Sequence, residues 1–300
     1  MGPMRFFYKI IYNSGINKLL RNINYIMAPL LPDGIKIHPS GTLKLRIKNH
    51  ESFYLKTNQT SYISKELFWD KPDNFEYSSI FKELIKKTKL FMDIGANIGY
   101  YSILGCKANA SLQVYAFEPS IGAKFYLNEN LKRNALSERV HLVPIALSDA
   151  SGEIDFYEIR NLKFPDIYNL SGEHNIGTKK DKITNITKVE AMTLDAYVQK
   201  TQTSTVGLIK IDTEGAEAMI LRGASETIRE SKPIIICETL FDTIETQLEG
   251  IMRGHEYQFF NHTDRGLEAV STITRTIDNG VRNCFFVPQD KLHWIQEWVV

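Results

Sequence analysis

The chain has few cysteines, almost no net charge and no long apolar run, and each shortage removes a class of protein. Three cysteines, Cys106, Cys237 and Cys284, cannot all pair and lack metal-ligand spacing. Cys237 and Cys284 sit in apolar runs, where a small buried thiol is the plain reading. A reducing compartment such as the cytoplasm fits. Basic and acidic side chains number 36 and 35, for a net charge of +1. No global field therefore draws the chain to DNA or RNA. No stretch approaches the roughly 20 apolar residues of a membrane-spanning helix. There is no clear secretory leader, and Met1-Gly2-Pro3 ahead of Met4 reads as an expression scar. Internal repeats and low-complexity linkers are missing as well. The 43% hydrophobic share is enough for a full-sized core.

One scarcity is local. Residues 4–30 hold no acid, while Arg5, Lys9, Lys18 and Arg21 alternate with Phe6, Phe7, Ile10, Ile11, Leu19 and Leu20. A helix of this kind suits an anionic membrane surface, here the inner face of the membrane. The plainer expectation is a helical arm packed on the core or on a second subunit.

The most informative stretch runs from Leu90 to Tyr101. An apolar run ends in Asp93, Gly95 and Gly99 follow, and then comes a helix-compatible segment. This reads as buried strand, tight turn and helix start. Gly95 lets the backbone turn and approach a ligand, and the first amides of the helix face that ligand. Gln113–Pro119 is a second strand, ending in Glu118. A carboxylate there, roughly 20 residues past the turn, accepts hydrogen bonds from ribose hydroxyls. NAD enzymes share this device, but their fingerprint needs a second glycine where Asn97 stands. Asp93 also makes a poor phosphate cradle. S-adenosylmethionine (SAM) carries no phosphate, and Asp93 can sit near its cationic amino-acid end.

Asp93–Ser102, Ala116–Pro119, Asn128–Asn134 and Ile209–Glu217 occur in order. Together they resemble the FkbM-type SAM-dependent methyltransferases over about residues 75–260, with Lys210-Ile-Asp-Thr-Glu-Gly-Ala-Glu217 the strongest element. The resemblance implies a class I methyltransferase fold: α/β, with a seven-stranded, mostly parallel sheet of order 3-2-1-4-5-7-6 flanked by helices. It also implies methyl transfer from SAM, leaving S-adenosylhomocysteine, to a hydroxyl of a sugar, glycan or glycolipid. A small natural product is the alternative acceptor. A non-catalytic scaffold of the same fold would show a degraded pocket, and an NAD-dependent sugar enzyme a Tyr-x-x-x-Lys pair.

Pattern sets the organisation. Residues 1–75 read as a helical arm and small hairpin, an N-terminal α+β extension, and residues 76–300 as the methyltransferase domain. Ile80, Phe81, Leu84 and Ile85 lie at helical spacing. Strands are expected at about 90–94, 113–118, 140–145, 206–212 and 233–238, with helices at 122–134 and 215–229 between them. Tyr257–Phe260 and Cys284–Val287 fit a closing antiparallel hairpin. Residues 151–195 read as an inserted hairpin and a loop at the carboxyl end of the sheet, where a substrate lid belongs.

A sugar hydroxyl is a poor nucleophile near neutral pH, so a general base should assist in-line transfer. Asp212, Glu214 and Glu238 fall at or just past strand ends on one rim, and His174 in the long loop is another candidate base. The donor's expected contacts are Asp93, Gly95, Ala96, Asn97, Gly99, Glu118, Pro119 and Asp212. The resemblance adds Leu147 against the adenine, with Ser148 or Asp149 taking its hydrogen bond. A Mg or Ca ion on Asp212, Glu214 and Glu238 is conceivable but matches no recognised metal motif.

Overall fold

The structure, a computed structural model, describes residues 3–30, 35–48, 52–178, 184–203 and 205–300. Met1-Gly2, residues 31–34 ahead of the hairpin and 179–183 of the long loop lie outside the described residues. The arm is two helices, α1 (Pro3–Ile11) and α2 (Ser14–Met27). Asn13 makes the break, because its side chain accepts hydrogen bonds from the Gly15 and Ile16 amides and so caps α2. β1 (Gly41–Leu45) and β2 (Phe53–Thr57) form the expected antiparallel hairpin. After α3 (Tyr62–Trp69) comes α4 (Ser78–Ile85), which buries Ile80, Phe81, Leu84 and Ile85.

Strand and helix then alternate through β3 (Leu90–Ile94), α5 (Tyr100–Ala108), β4 (Gln113–Phe117), α6 (Ile121–Arg133) and β5 (Val140–Val143). β6 (Ala146–Leu147), β7 (Gly152–Ile159) and β8 (Thr184–Met192) form a small separate sheet, in which β7 and β8 are the inserted hairpin. The chain continues as α7 (Leu194–Thr201), β9 (Leu208–Ile211), α8 (Glu217–Arg222), α9 (Ser225–Ser231), β10 (Ile234–Glu238), α10 (Glu245–Gly254), β11 (Tyr257–Thr263), β12 (Gly266–Val270) and β13 (Asn283–Pro288).

The large sheet runs β12-β11-β13-β10-β9-β3-β4-β5. From the other edge this is the expected 3-2-1-4-5-7-6 order of the class I methyltransferase fold, with one strand added. The sheet has eight strands rather than seven, because the chain turns back after Thr263 and β12 pairs antiparallel with β11. The helix expected over 215–229 is also two. A Cβ on Gly223 would fall 2.2 Å from the Ser148 carbonyl oxygen, so the chain passes that point as glycine, and α8 ends there.

β3 is buried along its whole length, since both faces of the sheet are covered. Phe91 joins Phe81, Tyr100 and Leu104 on one face, while Met92 and Ile94 join Ile209, Ile235 and Leu248 on the other. Leu43, Phe53 and Leu55 of the hairpin belong to the first of these clusters, so the extension shares the core. Two asparagines one turn apart, Asn130 on α6 and Asn134 at its carboxyl cap, fasten it. Asn130 accepts from the Lys56 amide and donates to the Lys56 carbonyl, and Asn134 does the same for Tyr54. These side-chain amides occupy backbone groups that a free strand edge would leave open.

Candidate active site

The carboxyl ends of β3, β4, β9 and β10 open on a cleft of about 1300 Å³, mouth included. Glu76, Glu118, Asp212, Glu214 and Glu238 line it, with Lys210 as its lone lysine among the described residues. Phe117, Ile145, Leu147 and Phe156 give part of the wall an apolar surface. Phe156, Ser171, Gly172, His174 and Ile176 bring the inserted hairpin and its loop into the wall.

The glycine turn is built differently from the expectation. Gly95 has φ +74, and a Cβ there would lie 1.9 Å from the Asp212 carbonyl oxygen. The space that glycine leaves is filled by the end of β9, not by a ligand. The Gly95 and Ala96 amides both donate to the Phe117 carbonyl at 3.1 Å, and the Asn97 amide donates to Glu118 Oε2 at 2.8 Å. These amides are therefore engaged within the protein. What the turn offers a ligand is the Asn97 side chain, whose buried Oδ1 has no hydrogen-bond partner. Gly99 (φ +89) lies outside the lining and lets α5 close on Leu127 of α6.

Glu118 is held at both oxygens, the second by the Ser120 amide at 2.9 Å. Burial pushes its carboxyl up to about 7, against the pull of the two amides. Asp93 does not reach the cleft. Strand alternation turns it toward α5, where Oδ2 accepts from Ser102 Oγ at 2.6 Å. Burial raises its pKa, opposed by Lys210 and Ser102.

Lys210 is the residue that joins these parts. It sits beside Asp93 in the β3–β9 register. Its Nζ lies 3.8 Å from Asp93 Oδ1 and 3.3 Å from Asp212 Oδ2, and donates to the Gly95 carbonyl at 3.3 Å. Burial works against its charge, but Asp212, Asp93 and Glu76 outweigh that and raise its pKa. Lys210 was passed over in the sequence as one residue of a motif. A lysine between two isoleucines in a fully buried strand was the available signal, because such a charge requires paired carboxylates.

Asp212 keeps a side chain 42% exposed to the cleft. Glu76, also missed, stands in the α3–α4 connection at φ +43 and is open to the cleft. Its Oε2 accepts from Tyr101 Oη at 2.8 Å. Its surroundings push its carboxyl up to about 7, first through desolvation and then through Asp212, with Tyr101 and Lys210 opposing. Glu217 is withdrawn from the cleft. Its Oε1 accepts from the Thr213 amide and hydroxyl and from the Gly215 amide, which ties the β9–α8 turn together.

Three expected residues are placed where they do other work. His174 faces the cleft, but its Nδ1 accepts from the Ile159 amide and its Nε2 donates to the Asn169 carbonyl, both at 2.9 Å. Both ring nitrogens are spent on backbone, so no lone pair is left to take a proton. Asn175 pairs its backbone with Tyr157 next door. Together they fasten the described part of the loop around Asn169–Asn175 to β7. Ser148 and Asp149 lie outside the lining, and Asp149 pairs with Arg222 at 3.3 Å. Leu147 does line the cleft.

A profile described as the Methyltransferase FkbM domain matches residues 93–273. The chain belongs to the FkbM methyltransferase family. The 2-O-methyltransferase NoeI of Sinorhizobium fredii (strain NBRC 101917 / NGR234) is 26% identical over 157 residues, covering 50% of this chain and 63% of that protein. The hexuronic acid methyltransferase AglP of Haloferax volcanii is 24% identical over 156 residues, covering 51% and 57%. The chain thus spans less than two thirds of either relative. Among solved structures, similarity to the methyltransferase FkbM of Methylobacillus flagellatus KT has a TM-score of 0.45 at 16% identity, over 66% of this chain and 43% of that one.

Membership implies SAM as methyl donor, and the cleft suits it. Among the described residues, the lining has five carboxylic side chains and one lysine, a balance that suits a cationic ligand. Among the described residues, no group of three or more His, Cys, Asp or Glu is placed to hold a metal ion.

Proposed function

We propose that the chain transfers a methyl group from SAM to a hydroxyl of a sugar, glycan or glycolipid. The observation that carries this reading is the acidic, partly open end of the cleft, which Asp212, Glu76, Glu214 and Glu238 line. SAM supplies an electrophilic methyl group on a sulfonium. Glu118 and Asn97 hold the donor's polar groups, while Phe117, Ile145, Leu147 and Phe156 cover its ring. Glu214 and Glu238 accept hydrogen bonds from acceptor hydroxyls, and the exposed ring of Tyr62 supplies an apolar face for a sugar ring.

Asp212 receives the proton as the hydroxyl oxygen attacks. Lys210 fixes the position of that carboxylate. Glu76 shares the positive charge of Lys210 with it. The names of NoeI and AglP, a 2-O-methyltransferase and a hexuronic acid methyltransferase, support oxygen and sugar chemistry as the place to look.

The test is calorimetric titration with SAM, S-adenosylhomocysteine and NAD, followed by transfer of radiolabelled methyl from SAM to a panel of neutral and acidic sugars. Binding of the two adenosyl ligands alone, with label entering a sugar of the panel, is the expected result. NAD binding, or label that enters no hydroxyl acceptor, would overturn the reading.

A further inference from the structure

The N-terminal arm is mounted with its polar side inward. Asn17, Arg21 and Asn24, one face of α2 at helical spacing, are buried. Asn17 donates to the His38 carbonyl and accepts from the Ser40 amide. Arg21 donates to the Ser40 and Thr42 carbonyls, and Asn24 brackets Ile35 and Ile37. These bonds fix the rotation of the helix about its axis.

The apolar stripe is left outside. Ile16, Leu19, Ile23, Ile26, Met27 and Leu30 follow a three-and-four spacing and are all exposed, Ile26 at 77% and Leu30 at 83%. Phe6, Phe7 and Ile10 of α1 are exposed too. A contiguous apolar face of this kind on a protein surface marks an interaction site.

We propose that α1 and α2 form a docking surface for an anionic lipid bilayer. Charge chooses the occupant. Arg5, Lys9 and Lys18 are exposed beside the stripe, and residues 4–30 hold no acid. Lys9 pairs with Asp166, which lies outside the arm, at 3.5 Å. A twofold contact with a second copy would set arm against arm, bringing these cations together with no acid on the arm to pair them. Anionic headgroups answer the cations while the acyl boundary takes the stripe. No described helix is long and apolar enough to cross a membrane, so the contact is with the surface.

The experiment is flotation of the full chain with vesicles of phosphatidylcholine alone or mixed with phosphatidylglycerol. The protein should float with the mixed vesicles only, and less so as salt rises. Leu19→Glu with Ile23→Glu should lower partitioning by at least about tenfold. The thermal midpoint should not change, since both side chains are already in water. Arg5→Gln with Lys18→Gln should lower it by about fivefold per charge. Absence of flotation with the mixed vesicles, or equal flotation with neutral ones, would overturn the proposal. So would a dimer in sedimentation equilibrium that the Leu19 and Ile23 changes dissolve, which would assign the surface to a second copy.

Discussion

Between β9 and α8 the chain places two carboxylates in opposite surroundings. Glu217 is fully buried, and three donors from its own turn converge on one of its oxygens. Asp212 has one strong partner, Lys210, and otherwise faces the open cleft. Glu118 stands between the two, taking one amide on each oxygen while its side chain still lines the cleft, and Glu76 is held by a single phenol. A carboxylate whose lone pairs are taken up by backbone holds shape. One that keeps lone pairs toward a cavity can bind a hydroxyl or move a proton. Identity and position in sequence do not separate the two, but the donors around them do.

The sharpest way to break this contrast is Asp212→Asn. It keeps size and removes basicity, so turnover should fall by about 100-fold or more while SAM affinity survives in calorimetry. Turnover at the wild-type level would leave Asp212 with no part in proton transfer. Glu217→Ala should act on stability instead, costing about 3 kcal/mol in urea unfolding, because the turn's donors lose their acceptor inside the protein. A loss of activity with unchanged stability would move Glu217 into the open group.

Glu118→Ala should weaken SAM binding by about tenfold or more. The wild-type affinity should also strengthen as pH rises through about 7, where this carboxyl ionises and becomes a full acceptor. A flat affinity across that range would contradict the role given to it. The smallest effect is expected from Glu76→Gln. With its carboxyl pushed up to about 7, Glu76 is neutral below that pH and charged above it. Turnover should therefore climb a few-fold through pH 7 in the wild type, and the variant should lose that limb of the profile. An unchanged profile would detach Glu76 from Asp212.

The strands were legible because burial on both faces writes them as continuous apolar runs, as at Leu90–Ile94 and Ile234–Glu238. Asp212, Glu118, Glu214 and Glu238 were legible for a related reason: they follow those runs, and strand ends share a rim. The remainder depends on contacts distant in sequence. Glu76 belongs to no periodic segment and reaches the cleft through the shared core of the extension. His174 looked free until its partners Ile159 and Asn169 were known. Helices α2 and α4 carry the same kind of apolar stripe, yet α4 turns it to the core and α2 to the outside. Periodicity reports that a helix has two faces. Which face goes inward is decided by what it meets, and for α2 that is the row of backbone groups at Ile35–Thr42.

The missing side chain at Gly95 has a mechanical side. With the Asp212 carbonyl filling the place of its Cβ, the turn after β3 and the turn after β9 interlock like two teeth. Neither can slide without displacing the other, so under the proposed function the donor and acceptor sides of the cleft keep one fixed spacing. In-line transfer tolerates little error in that spacing, and here the tolerance is set by a contact between two pieces of backbone rather than by any residue that touches a ligand.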